Sequence, residues 1–162
     1  MSSPPDQGTL QIEQVTGSAF APFGKTLKHP GGCGRLYLDC AFGDAPGSSK
    51  VVWINNPPRV RFPIAIRRLE KHPLTPQAFT PMHECGYLVI ACLSSEQGDP
   101  IPPSLRAFRV TGPTSIIYSA NVWHHGLLSF RENTNFVVMQ SVTGRGDDIV
   151  HTLDFEIELR ND

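Results

Sequence analysis

The sequence predicts an all-β protein, a single-domain β-barrel of jelly-roll type, and three observations carry that reading. Fifteen Pro and fourteen Gly divide the 162 residues into short apolar runs. No segment keeps apolar residues at a 3.6-residue period over three turns. The runs themselves are rich in Val, Ile, Phe and Tyr, which suit a pleated, half-buried surface. In order, the expected strands are KVVWIN (50–55), RFPIAIRRLEKH (61–72), GYLVIACL (86–93), LRAFRV (105–110), SIIYS (115–119), LLSFRE (127–132), NFVVMQSV (135–142) and HTLDFEIEL (151–159). Eight strands of this length fill two sheets of a jelly roll. Phe62, Ile64 and Ile66 alternate correctly, but Arg67 and Arg68 break the phase before Leu69, which predicts a bulge or kink there. The polar segment SSEQGDPIPPS (94–104) and the Gly-rich HPGGCG (29–34) read as loops able to act as lids. Residues 1–8 are expected to be a disordered tail and residues 9–162 the barrel.

Composition narrows the function. The 40% hydrophobic content is enough for a core, and a net charge of −1 with a pI near 6.6 offers no field for a polyanion. No run of Lys and Arg interleaved with aromatics is present, so nucleic acid is not an expected partner. No apolar stretch reaches bilayer length and the N-terminus lacks a secretory layout, so a soluble, cytoplasmic protein is expected. Cys33, Cys40, Cys85 and Cys92 fall in two pairs seven apart, which fits neither a zinc finger nor a redox pair; free thiols are expected. Met82 and Met139 read as core filling, and His83 and His151 as surface residues.

The candidate site is split along the chain. Glu70 and His72 are two apart, so on an extended strand both side chains leave the same face. Gln77 follows a Pro-bounded turn, and NVWHH (121–125) brings His124 from a distant strand. Neighbouring strand residues face opposite ways, so His124 is expected inward and His125 outward. This layout resembles the cupin pattern, in which His-x-His and a Glu are completed by one later His. Imidazoles titrate near neutrality, so Glu70, His72 and His124 are the candidate acid/base residues. Gln77 can donate its amide to a substrate, and Arg68, Arg106 and Arg35 are candidate partners for a carboxylate, with parity favouring Arg68. Trp123 is a candidate pocket wall. Glu70, His72, Gln77 and His124 are also an acceptable divalent-metal set, weakened because Gln77 is neutral.

EKHPL, QAFTPM, LRAF (105–108) and NVWHH, preceded by AFAPFG (19–24), together resemble the ureidoglycolate lyase family of small cupins. The resemblance implies cleavage of ureidoglycolate to glyoxylate and urea, a step in allantoin and hence purine breakdown. It further implies a small-molecule substrate, a homodimer, and either no required cofactor or a weakly bound divalent metal. The chain departs from the family pattern at Asn56 and at Gln140–Ser141–Val142, where relatives commonly carry charged residues. Competing expectations are a cupin lyase, cyclase or isomerase of specialised metabolism, and a binding cupin without turnover.

Overall fold

The computed structural model describes residues 8–38, 42 and 46–160, and within them strand dominates. The chain runs through β1 (Thr9–Leu10), β2 (Ile12–Gln14), the short helix α1 (Gly17–Phe20) and β3 (Gly24–Leu27). It continues with β4 (Ser49–Asn55), β5 (Ile64–Lys71), β6 (Gln77–Pro81), β7 (Tyr87–Cys92) and β8 (Arg106–Val110). β9 (Ser115–Tyr118), β10 (Trp123–His124), β11 (Leu128–Ser129), β12 (Phe136–Val142) and β13 (Ile149–Leu159) complete it. One sheet has the order β1-β13-β5-β10-β7-β8-β2, with β11 beside β7; the other has β3-β9-β6-β12-β4. The two face each other as a nearly closed jelly-roll barrel of cupin type.

Two apolar cores flank the larger sheet, which explains why all six residues of β7 are buried. Tyr87, Val89 and Ala91 point between the sheets and meet Phe108, Phe136 and Val138. Leu88, Ile90 and Cys92 point the other way, into a second cluster with Ile66, Leu69, Trp123 and Leu159. The AFAPFG segment closes one end of the barrel. Thr16 caps α1 by accepting from the Ala19 N–H at 3.1 Å, and Phe20 and Phe23 are driven into the first core beside Phe108. Gly24 is required there, because a Cβ would stand 1.9 Å from the Ile117 carbonyl oxygen, closer than any real contact.

Several expectations need adjusting. The irregularity at Arg67 exists, but the extra residues lie on the partner: β13 shifts register against β5 between Thr152 and Ile157. Gln77–Pro81 form a strand that the expected set does not contain, and LLSFRE contributes only Leu128–Ser129. Met82 and Met139 are not core filling, at 58% and 37% exposed. Segment 94–104 is no lid over the candidate site. Its Gly98 carbonyl accepts from Lys71 Nζ at 2.6 Å and from Trp123 Nε1 at 3.1 Å, which pins the loop to the outer face of the larger sheet. Cys85 and Cys92 are buried free thiols and Cys33 an exposed one, while Cys40 and residues 1–7 of the expected tail lie outside the described residues.

Candidate active site

Strand pairing assembles the site. His124 on β10 stands directly opposite Glu70 on β5, a pairing that brings their side chains together on one face. His72, just past the end of β5, has the same parity as Glu70. Its backbone carbonyl accepts from the Asn121 N–H at 2.9 Å, which ties it to the turn before β10. Asn121 adopts φ 66°, a left-handed conformation that Asn tolerates. The rings of His72 and His124 lie 5.2 Å apart. From the opposite sheet, Tyr118 stacks on His124 with ring centroids 4.2 Å apart and planes 15° from parallel. Tyr118 is paired with Gln77, and Gln77 with Gln140, so these three share one rung of the smaller sheet.

The hydrogen bonds fix which atoms face inward. His124 Nδ1 lies 3.1 Å from the Val122 carbonyl, which holds the proton at Nδ1 and leaves Nε2 as a lone pair, 3.6 Å from Glu70 Oε1. Burial, with the nearby His72 charge, pushes His124 down to about 3 although the Val122 carbonyl opposes this. The ring is therefore neutral at pH 7, and its contact with Glu70 is not an ion pair. His72 Nδ1 meets two acceptors, Asp148 Oδ1 at 2.7 Å and the Asp147 carbonyl at 3.1 Å, so its Nε2 is turned toward the site. The Asp147 carboxylate in turn accepts from the backbone N–H groups of Thr143, Gly144 and Arg145 and from the Thr143 hydroxyl. Those bonds, led by the one from the Thr143 N–H, hold the Asp147 carboxyl below its usual value and rigidify the turn that supports His72. The Tyr118 phenol stays protonated, its pKa raised by burial and by the Glu70 charge.

Five buried side-chain atoms along this path lack any hydrogen-bond partner among the described residues: His72 Nε2, His124 Nε2, Tyr118 Oη, Gln77 Oε1 and Gln140 Nε2. Each such atom costs about 1 to 3 kcal/mol when left unsatisfied, so five neighbours without partners mark a place built to receive polar groups. Beside His124 opens a groove of about 210 Å³, lined among others by Arg68, Glu70, His125, Gly126 and Val150. Glu70, 43% exposed along its side chain, stands at the boundary between groove and interior.

Glu70, His72 and His124 offer three ligand atoms within 4.8 Å of one another, and the two unpaired Nε2 atoms fit a divalent cation. Two ligands across one ion at about 2.1 Å stand no more than about 4.2 Å apart, so a spread at that limit would have to close by roughly half an ångström. Gln77 Oε1 is a neutral further donor.

Of the residues expected at the site, Glu70, His72, Gln77, His124 and Arg68 are brought together, and three are not. Trp123 has the opposite parity to His124 and lies in the outer core, with Lys71 Nζ 4.6 Å from its ring centroid and His151 edge-on at 5.6 Å. Arg106 is held by Glu13, with Nε to Oε1 at 2.8 Å, and by the Ala19 carbonyl at 2.9 Å. Arg35 lines a separate groove with His29, Tyr37 and Pro113. Tyr118, Gln140, Asp147 and Asp148 were missed as site residues. In the sequence Gln140 stands out only as a departure from the family pattern, inward parity alone marks Tyr118, and nothing marks the two aspartates.

A family profile described as Ureidoglycolate lyase matches residues 7–159. The chain is 34% identical over 151 residues to a protein named ureidoglycolate lyase from Stutzerimonas stutzeri (strain A1501), covering 86% of each chain. It is 33% identical to one of that name from Pseudomonas aeruginosa (strain LESB58), over 86% of this chain and 87% of the relative. With one from Brucella ovis it shares 34% identity over 87% of both. On a profile match spanning nearly its whole length and relatives above 30% identity, the chain belongs to the ureidoglycolate lyase family.

Proposed function

We propose that the protein is a carbon–nitrogen lyase that splits ureidoglycolate into glyoxylate and urea by acid/base chemistry at this site. The observation that carries the reading is the line of unpaired buried polar atoms next to the Arg68-lined groove, in a chain of this family. Arg68, which lines the groove, holds the substrate carboxylate at its mouth by a charge-assisted contact. His124 Nε2, neutral at pH 7, takes the hydroxyl proton. The oxygen's electron pair then forms the aldehyde C=O of glyoxylate while the C–N bond breaks and its electrons pass to the urea nitrogen. That nitrogen receives a proton from His72 Nε2, with the Asp148 carboxylate compensating the charge of a ring protonated at both nitrogens. Glu70, 3.6 Å from His124 and half-exposed, passes the proton gained by His124 to solvent, and His72 is reprotonated, so no net proton is consumed.

A divalent cation, when bound by Glu70, His72, Gln77 and His124, would supply Lewis-acid polarisation of a substrate oxygen. The neutral Gln77 and the wide ligand spread support weak binding. The active form is proposed to be a homodimer joined along β4, an edge strand that exposes Val52, Trp53 and Ile54, with Val52 at 64%. A cytoplasmic location is supported by the free thiols of Cys33, Cys85 and Cys92; among the described residues no helix is long and apolar enough to cross a membrane. The test is urea release from racemic ureidoglycolate by wild type, His124→Ala and Glu70→Gln. Brisk wild-type release, with His124→Ala inactive and Glu70→Gln strongly impaired, is expected. Equal slow release by all three would overturn the assignment.

A further inference from the structure

Gln77 and Gln140 stand directly opposite each other on β6 and β12, 5% and 4% exposed, and both point between the sheets. Gln77 Nε2 donates to Gln140 Oε1 at 3.0 Å. Gln77 Oε1 and Gln140 Nε2 are left without partners. Turning both amides over changes which residue donates but not the outcome, because two primary amides joined by a single hydrogen bond leave one carbonyl and one NH₂ group over. The pair therefore presents one free acceptor and one free donor from facing residues of adjacent strands.

An acceptor beside a donor is the complement of one chemical edge, the N–H and C=O of a primary amide or urea lying on the same side. A carboxylate does not match it, since it brings two acceptors. We propose that the Gln77–Gln140 amide pair is a recognition edge for the ureido group, with Gln77 Oε1 accepting from a urea N–H and Gln140 Nε2 donating to the urea carbonyl. The inference rests on the ureidoglycolate reading and deepens it. Its placement follows from the rung: Gln77 is the strand neighbour of Tyr118, which stacks on His124. The ureido end is thus held on the smaller sheet while the carboxylate lies toward Arg68, and the bond to be broken falls between the imidazoles. Gln140 is a specificity-determining residue in this scheme, and it lowers the free energy of the leaving urea as its carbonyl gains electron density.

The probes are urea, acetamide and glyoxylate, titrated into wild type, Gln140→Met and Gln140→Glu and followed by amide nuclear magnetic resonance, with circular dichroism to check folding. Met keeps the volume and removes both polar atoms; Glu keeps the acceptor for Gln77, removes the unpaired donor and adds an ionisable carboxyl group. Acetamide has a single N–H/C=O edge, so it reports the pairing directly. Urea and acetamide should bind wild type and weaken roughly 5- to 30-fold in the Met variant, as losing one or two neutral hydrogen bonds from a buried site implies. Acetamide should weaken similarly in the Glu variant. Glyoxylate affinity should change by less than about twofold in the Met variant, which adds no charge, its contacts being separate. Wild-type acetamide affinity in the Glu variant would show that Gln140 merely orients Gln77, and would overturn the proposal. So would a loss in the Met variant that falls on glyoxylate, or a wild type that binds neither urea nor acetamide. Because binding is read without turnover, failure of the lyase assignment itself would be seen separately, as absent urea release from a protein that still binds acetamide.

Discussion

Acidification should destabilise this protein through one buried ring. His124 sits near 3 in the folded state against an ordinary 6.5, with burial the main cause, so the unfolded chain binds a proton that the folded chain refuses. The stability attached to the neutral ring is fully present above pH 6.5 and is lost as pH falls toward 3. At pH 4.5 the chain stands two units below the unfolded value, and at 1.36 kcal/mol per unit the loss is about 2.7 kcal/mol. That is a large share of a typical domain's total stability. The measurement is guanidinium unfolding of chelator-treated protein at intervals from pH 7 to 4.5, wild type beside His124→Gln. Carboxylates titrating in the same range contribute equally to both proteins and cancel in the difference. The wild type should lose about 2 to 3 kcal/mol more than the variant over this interval. Coincident slopes would refute the argument, because they would mean that the ring is solvated or finds a proton-accepting partner in solution.

Replacing Asp148 with Asn keeps an acceptor for His72 Nδ1 but removes its charge, and should lower kcat by roughly 10-fold with little change in KM; a pH–rate profile identical to wild type would show that Asp148 does not act through His72. Arg106→Met should reduce stability by about 1 kcal/mol, as for a half-exposed bidentate pair, and leave KM for ureidoglycolate unchanged; a raised KM would return Arg106 to the substrate. Ile54→Lys places a charge on the exposed edge β4 and should convert a dimer to monomer in analytical ultracentrifugation; an unchanged sedimentation coefficient would move the interface elsewhere.

The fold was legible because it depends on patterns that sequence records directly. The alternation of Phe62, Ile64 and Ile66, the uninterrupted apolar run of residues 87–92 and the Pro and Gly punctuation all concern nearest neighbours on a strand. The same parity rule placed Glu70 and His72 together and separated His124 from His125. Trp123 could have been sorted by that rule too, since it adjoins His124 and therefore faces the outer core. Arg106 lies beyond that rule: its partners are set by tertiary contacts, here Glu13 and Ala19, which are 93 and 87 residues away, whereas Arg35 donates to the Tyr37 hydroxyl two residues on, in a separate groove. Asp148 reaches His72 across a separation that no spacing motif encodes. Gln140 was visible only as a departure from the family pattern, because nothing in a lone glutamine announces that its cross-strand neighbour is another one.

The strands that carry the site are worked from both sides. Lys71 lies between Glu70 and His72, and Trp123 next to His124, yet both reach backward to grip the carbonyl of Gly98. Each reactive residue is thus backed by a neighbour anchored behind the sheet, like a tooth whose root is set in a different bone. Segment 94–101 does not line the groove beside His124, but its length and its glycine set how firmly β5 and β10 are braced. Gly98 has φ 92° and a Cβ there would come 3.2 Å from Lys71 Nζ, so a bulkier residue at that position loosens the brace. Drift in a surface loop on the far side of the protein can therefore retune the alignment of the imidazoles while every residue facing the substrate stays the same.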